Sequence, residues 1–328
     1  MRTSRPPSFT LLLPSYVLRR SIALRALCSL WVLSLLGLTS ISPTIDQEGP
    51  TRQPEDHSDQ PSPSPQPPPD TLPTPSIPRT LIVCGATIGG FVYGHVLSTD
   101  LWWKGEPSPF HVDWEHDWTY ALGADKLGHA WFPYASSRLF AQAFEWSGYS
   151  SSTSQWIGSG IALAYQSYTE IRDGFSAAWG FSWGDMGANI VGAALPILQQ
   201  EIPCLRKYTY KISYHPSARF RAGSNRSIID DYESSYHWLS FDVARLLPEH
   251  WGAGWPRWLN IALGHSVKDL DDRGAGRHEL WLSLDWNLER LPGDGWFWTM
   301  MKRTLNVYRF PAPAIRFVGG IAVFLIRI

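Results

Sequence analysis

Three short runs hold residue types and spacings that could do chemistry. Asp125-Lys126-x-x-His129 sets an acid and an imidazole four residues apart, on one face if the run is helical. Glu170-x-x-Asp173-Gly174 puts two acids at the end of an apolar segment. There an acid opposes the negative end of the helix dipole, so it is not placed for helix stability. Ser182-x-x-Asp185-x-x-x-Asn189-x-x-Gly192 strings a carboxylate, a carboxamide and a gap for a close neighbour along one stripe. His129 could act as a general base with Glu170 or Asp173 orienting it, and Asp185 completes the catalytic candidates. Asp125, Lys126, Arg172, Asp173, Ser182, Asn189 and Gly192 are the binding candidates, with Lys126 or Arg172 suited to an anionic headgroup. Asp125, His129, Glu170 and Asp185 are also ligand types that suit zinc, manganese or iron, although no H-x-x-x-H pair accompanies them. Metal and cofactor are left unknown by this spacing. The same groups could instead form a structural network, Lys126 or Arg172 pairing with Asp185 or Glu170 to lock helices together.

Four apolar segments, at about 81–98, 127–146, 155–169 and 183–199, must position these residues. Between Lys126 and Gln200 only seven residues are charged: Lys126, Arg138, Glu145, Glu170, Arg172, Asp173 and Asp185. Such segments read as buried or membrane helices, and Gly89-Gly90, Gly158 and Gly160 supply small faces for close approach. Over the whole chain, 17% of residues are charged and 14% are aromatic, with 18 tryptophans, an excess suited to membrane–water interfaces. The stretch from Trp102 to Tyr120 reads as an interfacial loop. A net charge of -1 argues against a nucleic-acid partner. Three scattered cysteines offer neither a disulfide framework nor a zinc clip.

Ahead of the body, residues 1–42 read as a signal peptide or N-terminal anchor, with Arg19, Arg20 and Arg25 before an apolar run from Ala26 to Leu38. Residues 43–79 hold 12 of the 26 prolines and no aromatic residue, the composition of a disordered tether. The helical, membrane-associated body is expected over 80–202. From 203 to 328 the pattern turns to period two. Leu280, Leu282, Leu284, Trp286 and Leu288 alternate with Trp281, Ser283, Asp285, Asn287 and Glu289, a strand with one apolar face. Shorter versions at 239–243, 259–263 and 321–328 make about four strands. That is too few for a membrane barrel, so a small sheet packed on the helices or lying at the bilayer surface is expected. The loop from Val267 to His278 reads as a solvated turn.

The order D-K-x-x-H, acid-bearing helix end, S-x-x-D-x-x-x-N-x-x-G resembles the pattern shared by VanZ-like membrane proteins and the YfiM-type predicted periplasmic lipoproteins of unknown function. The likeness runs from Asp125 to Gly192, about a fifth of the chain. The wording around Trp238-Leu239-Ser240, Trp258-Leu259-Asn260, Leu282-Ser283-Leu284-Asp285 and Phe310-Pro311-Ala312-Pro313 is similar to longer members of the second family. The resemblance implies a cell-envelope protein with a helical, membrane-associated fold and implies no reaction. Two departures stand out: Glu170-x-x-Asp173 replaces the E-x-x-Q common in VanZ-like proteins, and no lipobox precedes Cys28 or Cys84.

The expected fold is therefore mainly α, a membrane-associated bundle of four to five short helices followed by a smaller β-containing region. Two functional classes are open. In one, a polar site between helices binds or processes a membrane lipid or a lipid-linked envelope glycan; in the other, the polar residues only join helices in a structural envelope protein. The expected location is the cell envelope, membrane-associated, with inner and outer membrane not distinguished and protein partners unknown.

Overall fold

A computed structural model describes residues 74–223, 227–271 and 275–327. The expected signal and the tether up to residue 73 lie outside these residues, as do Asp272 and Arg273 of the expected solvated turn. Four long helices come first: α1 (Ile77–Leu101), α2 (Ala124–Trp146), α3 (Ser151–Asp173) and α4 (Trp183–Glu201). Each contains one expected apolar segment and extends beyond it. In α1 the fixed φ of Pro78 suits the first turn, and the only charged residues, Arg79 and Asp100, sit at its ends. Ser150 caps α3 by accepting from the Thr153 N–H, and Ser182 caps α4 by accepting from the Asp185 N–H.

The three helices α2, α3 and α4 pack on one another through small residues. A Cβ on Gly192 of α4 would lie 2.0 Å from the Ala130 carbonyl oxygen of α2. One on Gly158 of α3 would lie 2.4 Å from the Ser137 carbonyl. Their interior is polar, with Gln155, Ser159, Gln166, Glu170, Asp185 and Asn189 buried, while Trp156, Ile171, Val191 and Leu198 are exposed. Helix α1 lies along α3, Phe91 meeting Tyr165 at 4.8 Å between ring centroids. Only Val83 and Ser98 of α1 are buried.

The C-terminal region holds one antiparallel sheet of six strands in sequence order: β1 (Tyr208–Tyr214), β2 (Ser235–Phe241), β3 (Leu259–Lys268), β4 (Arg277–Trp286), β5 (Ala312–Val318) and β6 (Ala322–Arg327). A further helix, α5 (Trp296–Leu305), lies between β4 and β5. Six strands replace the four expected. β1 alternates Tyr208, Tyr210, Ile212 and Tyr214 with Thr209, Lys211 and Ser213, a strand pattern that aliphatic alternation alone does not pick up, and in β5 Pro313 argues against a strand interior. Val243 opens a single helical turn and Leu288 a 3-10 turn, so neither extends a strand.

The two faces of the sheet differ in polarity. One face buries Lys211, Trp238, Glu279, Trp281, Ser283 and Asp285, and the opposite face exposes Leu239, Leu263, Leu282 and Ile315. The polar face can be inside because its charges are matched. Lys211 Nζ lies 2.8 Å from Asp285 Oδ2 and donates to Asn306 and to the Trp286 carbonyl, and Arg316 lies 2.5 Å from Glu279. The chain at Val307–Arg309 bonds to Ile212 of β1 and carries the Arg309 guanidinium over Trp238 at 4.1 Å, closing this interior.

Candidate functional site

The chain enters α2 through a turn that L-residues rarely make. Ala121, Leu122 and Gly123 have φ of 46°, 54° and 74°, left-handed values in sequence just before α2. Ala121 is fixed there by packing with Val267 and Leu270 from the end of β3. Asp125 and Lys126 consequently enter α2 in its first turn, and Asp125 is a helical residue, not the N-cap, which is Gly123.

Lys126 lies at the centre of the acids. Its Nζ is 2.7 Å from Asp185, 3.1 Å from Asp117 and 3.3 Å from Asp125, with Ser182 Oγ at 3.5 Å. The imidazole of His129 lies one turn further along α2. Its Nδ1 faces Glu170 Oε1 at 3.2 Å and Asn189 Oδ1 at 3.3 Å, while Nε2 looks toward Asp125 at 3.7 Å and Asp185 at 3.8 Å. Asn189 donates to Glu170 at 3.4 Å, and Gln166 donates to Asn189 at 3.0 Å. His129 thus stands between carboxylates from three helices, with Glu170 1% exposed and Asn189 fully buried.

Burial and neighbouring charge set the protonation of the acids. Burial pushes Glu170 up to about 8, the Asp185, Asp173 and Asp125 charges adding to it and His129 opposing. Burial and the Asp125 charge push Asp185 up to about 6 despite His129 and Lys126. Asp125 is held low: burial would raise it, but His129, Lys126 and a hydrogen bond from Tyr232 outweigh that. Asp117 is likewise low, burial losing to hydrogen bonds from Ser182, Gly184 and Lys126. For His129, burial favours the neutral ring, yet the Asp125, Asp185 and Glu170 charges raise its pKa. At neutral pH the site therefore keeps a protonated carboxyl beside a cation-prone imidazole.

Of the residues singled out in the sequence, Asp125, Lys126, His129, Glu170, Ser182, Asp185 and Asn189 converge. Gly192 lies further along the same face of α4, against Ala130, and acts in packing. Asp173 and Arg172 turn away: Asp173 accepts from Trp103 Nε1 at 2.6 Å, and the Arg172 guanidinium stacks over the Trp103 ring at 5.0 Å. Lys126 is engaged by three acids. Asp125 Oδ1, His129 Nε2 and Asp185 Oδ1 are close enough to share a cation, their ligand atoms within 4.8 Å of one another. Lys126 already supplies that positive charge to Asp185.

Three members escaped the sequence reading. Gln166 was legible, one turn before Glu170 on the same face of α3. Asp117 sits in the aromatic loop, accepting from Ser182 Oγ and from the Gly184 N–H at 3.0 Å, with no periodicity to mark it. Tyr232, which donates to Asp125 at 2.7 Å, comes from the C-terminal region, 107 residues away.

Residues 112–201 match the family described as Predicted periplasmic lipoprotein (DUF2279). The matched stretch contains every residue of the cluster except Tyr232 and fits an exported cell-envelope protein. No curated protein and no solved structure matches the chain.

Proposed function

We propose that this chain is a membrane-anchored envelope protein whose His129–Glu170–Asp185 centre transfers a proton to or from a membrane-borne ligand, an envelope lipid or lipid-linked glycan. The observation that carries the reading is the environment of His129. One ring nitrogen meets a carboxyl pushed up to about 8, and the other faces the ionised Asp125, so acid and base stand on opposite sides of one imidazole. Two features favour a ligand from the bilayer. The loop beside the site exposes Trp114 and Trp118, and the first residue of α4 exposes Trp183, indoles of the kind that seat at headgroup level. Helix α1, at 25 residues and almost wholly unburied, is long and apolar enough to cross a bilayer. The motif order shared with VanZ-like membrane proteins points the same way.

A second reading, a purely structural network, draws on the mutual contacts of Lys126 with Asp117, Asp125 and Asp185. Native mass spectrometry of the detergent-extracted protein separates the two. The acid–base reading expects a lipid-mass adduct that His129→Gln loses while its thermal midpoint stays within a few degrees of wild type. An adduct count unchanged by His129→Gln, or a variant that unfolds, would favour the structural reading.

A further inference from the structure

The outer face of the sheet and a cleft at its end form a second feature, independent of the helical cluster. Directly opposed residues make an unbroken row across five strands: Leu239, Leu263, Leu282, Ile315 and Val323. The first four are 42–46% exposed, while Lys211 and Asp285 on the other face are fully buried. The other end of this face is covered by the helical body, through Tyr210 on the Leu127 carbonyl and Val267 on Ala121 and Ala124; the exposed apolar row is costly in water and not against hydrocarbon. Strands β2 to β4 are paired along both edges, so their backbone polar groups are satisfied whatever lies on that face.

The last residue of β2, the first of β3 and the last of β4, which are Phe241, Leu259 and Trp286, all adjoin segments that line one cleft of about 330 Å³. Asp242, Arg245, Arg257 and Arg290 bring three guanidiniums and one carboxylate to it. Arg245 pairs with Asp242 at 3.5 Å, and Arg257 and Arg290 make no ion pair among the described residues. Trp258 stacks on Trp286 at 5.6 Å at this end of the strands, and Trp251 is exposed. Basic residues, tryptophans and an apolar surface in this sequence match the strata of one membrane leaflet: phosphate, interface, acyl chain. From Leu259 to Leu263 the apolar rows of β3 extend only about 14 Å, a single leaflet's depth.

We infer that this cleft binds the phosphate of an anionic phospholipid, whose acyl chains lie along the outer face of β2–β4. Arg257 and Arg290 supply the free positive charge; Arg245 is held by Asp242.

The test is a titration of the full-length protein in detergent, followed by native mass spectrometry, with dioleoyl phosphatidylglycerol, its dihexanoyl analogue, dioleoyl phosphatidylcholine and inorganic phosphate. Long-chain phosphatidylglycerol should bind tightest. Arg257→Gln with Arg290→Gln should weaken it about thirtyfold, each arginine contributing what one basic residue contributes at an anionic surface. Arg257→Gln alone, at an exposed position, should weaken it about fivefold and serves if the double variant misfolds. Equal affinity for phosphatidylcholine, equal affinity for the short-chain analogue, displacement by millimolar phosphate, or an unchanged double variant would each overturn the assignment. The adduct that depends on His129 is counted separately, because the arginine variants leave it in place.

Discussion

Replacing Lys126 with methionine keeps the aliphatic stem and removes the one ammonium that three aspartates share. Its Nζ lies 2.7, 3.1 and 3.3 Å from Asp185, Asp117 and Asp125, whose residues are 8%, 7% and 8% exposed. Removing one partner of a buried ion pair costs about 3–5 kcal/mol, because the other charge stays behind without compensation. Here three acids are left, which places Lys126→Met at the upper end of that range. Asp185→Asn is the informative contrast. Four acids, Asp117, Asp125, Glu170 and Asp185, face two basic groups, Lys126 and His129, so losing one acid still leaves Lys126 with two partners. That variant should stay within about 1 kcal/mol of wild type. Urea titration in detergent, followed by near-UV circular dichroism, gives both values from the midpoint and slope. Acidification toward pH 4 should recover part of the Lys126→Met loss, since carboxylates whose pKa rises in the folded state stabilise it once protonated. If Lys126→Met costs less than about 1 kcal/mol, or Asp185→Asn costs as much as Lys126→Met, the acid-excess account of this site is wrong.

The raised pKa of Glu170 gives a pH prediction of definite sign. Its protonated form contributes fully below the ordinary value of 4.5, and that contribution is lost as pH rises to about 8; Asp185, raised to about 6, and His129, also raised, act in the same direction. Stability should fall between pH 5 and 8 by about 4 kcal/mol, and Glu170→Gln should flatten most of the slope; a thermal midpoint that climbs over this interval refutes the assignment. In the bundle, Gly192→Ala should cost about 1–3 kcal/mol because its Cβ would meet the Ala130 backbone at 2.0 Å, whereas Gly160→Ala, with open space around it, should stabilise by about 0.5 kcal/mol; equal effects in chemical denaturation would contradict the close approach of α2 and α4.

The helices were legible because their apolar runs are long and poorly charged, and the cluster was legible in part because Asp125 and His129, or Asp185 and Asn189, repeat at helical spacing. Asp117 and Tyr232 were not, since they reach the site through tertiary contacts that leave no local period. The left-handed turn at Ala121 and Leu122 was equally hidden: neither side chain favours it, and it packs against Val267 and Leu270, far along the chain. In the sheet the alternation of Leu280 to Trp286 was correctly a strand signal, but alternation does not say which face turns inward. Lys211, Asp285, Glu279 and Arg316 decide the matter by pairing across strands, and pairs between strands are invisible to a reading along the chain.

The two buried polar interiors differ in a way that bears on function. Inside the sheet each of these buried acids has a cation: Lys211 answers Asp285, Arg316 answers Glu279, and Arg309 donates to Ser283 and the Ala312 carbonyl while stacking on Trp238. With its acids answered by cations, a substitution there should register in stability alone. Among α2, α3 and α4 the acids outnumber the basic groups, and Glu170 stays neutral only by retaining a proton beside His129. A purely structural junction gains nothing from the surplus, which burial makes costly. The proposed proton transfer would draw on that surplus, through the exchangeable proton that Glu170 holds against the imidazole. Burial is common to the two interiors; an excess of acid over base is particular to the helical one.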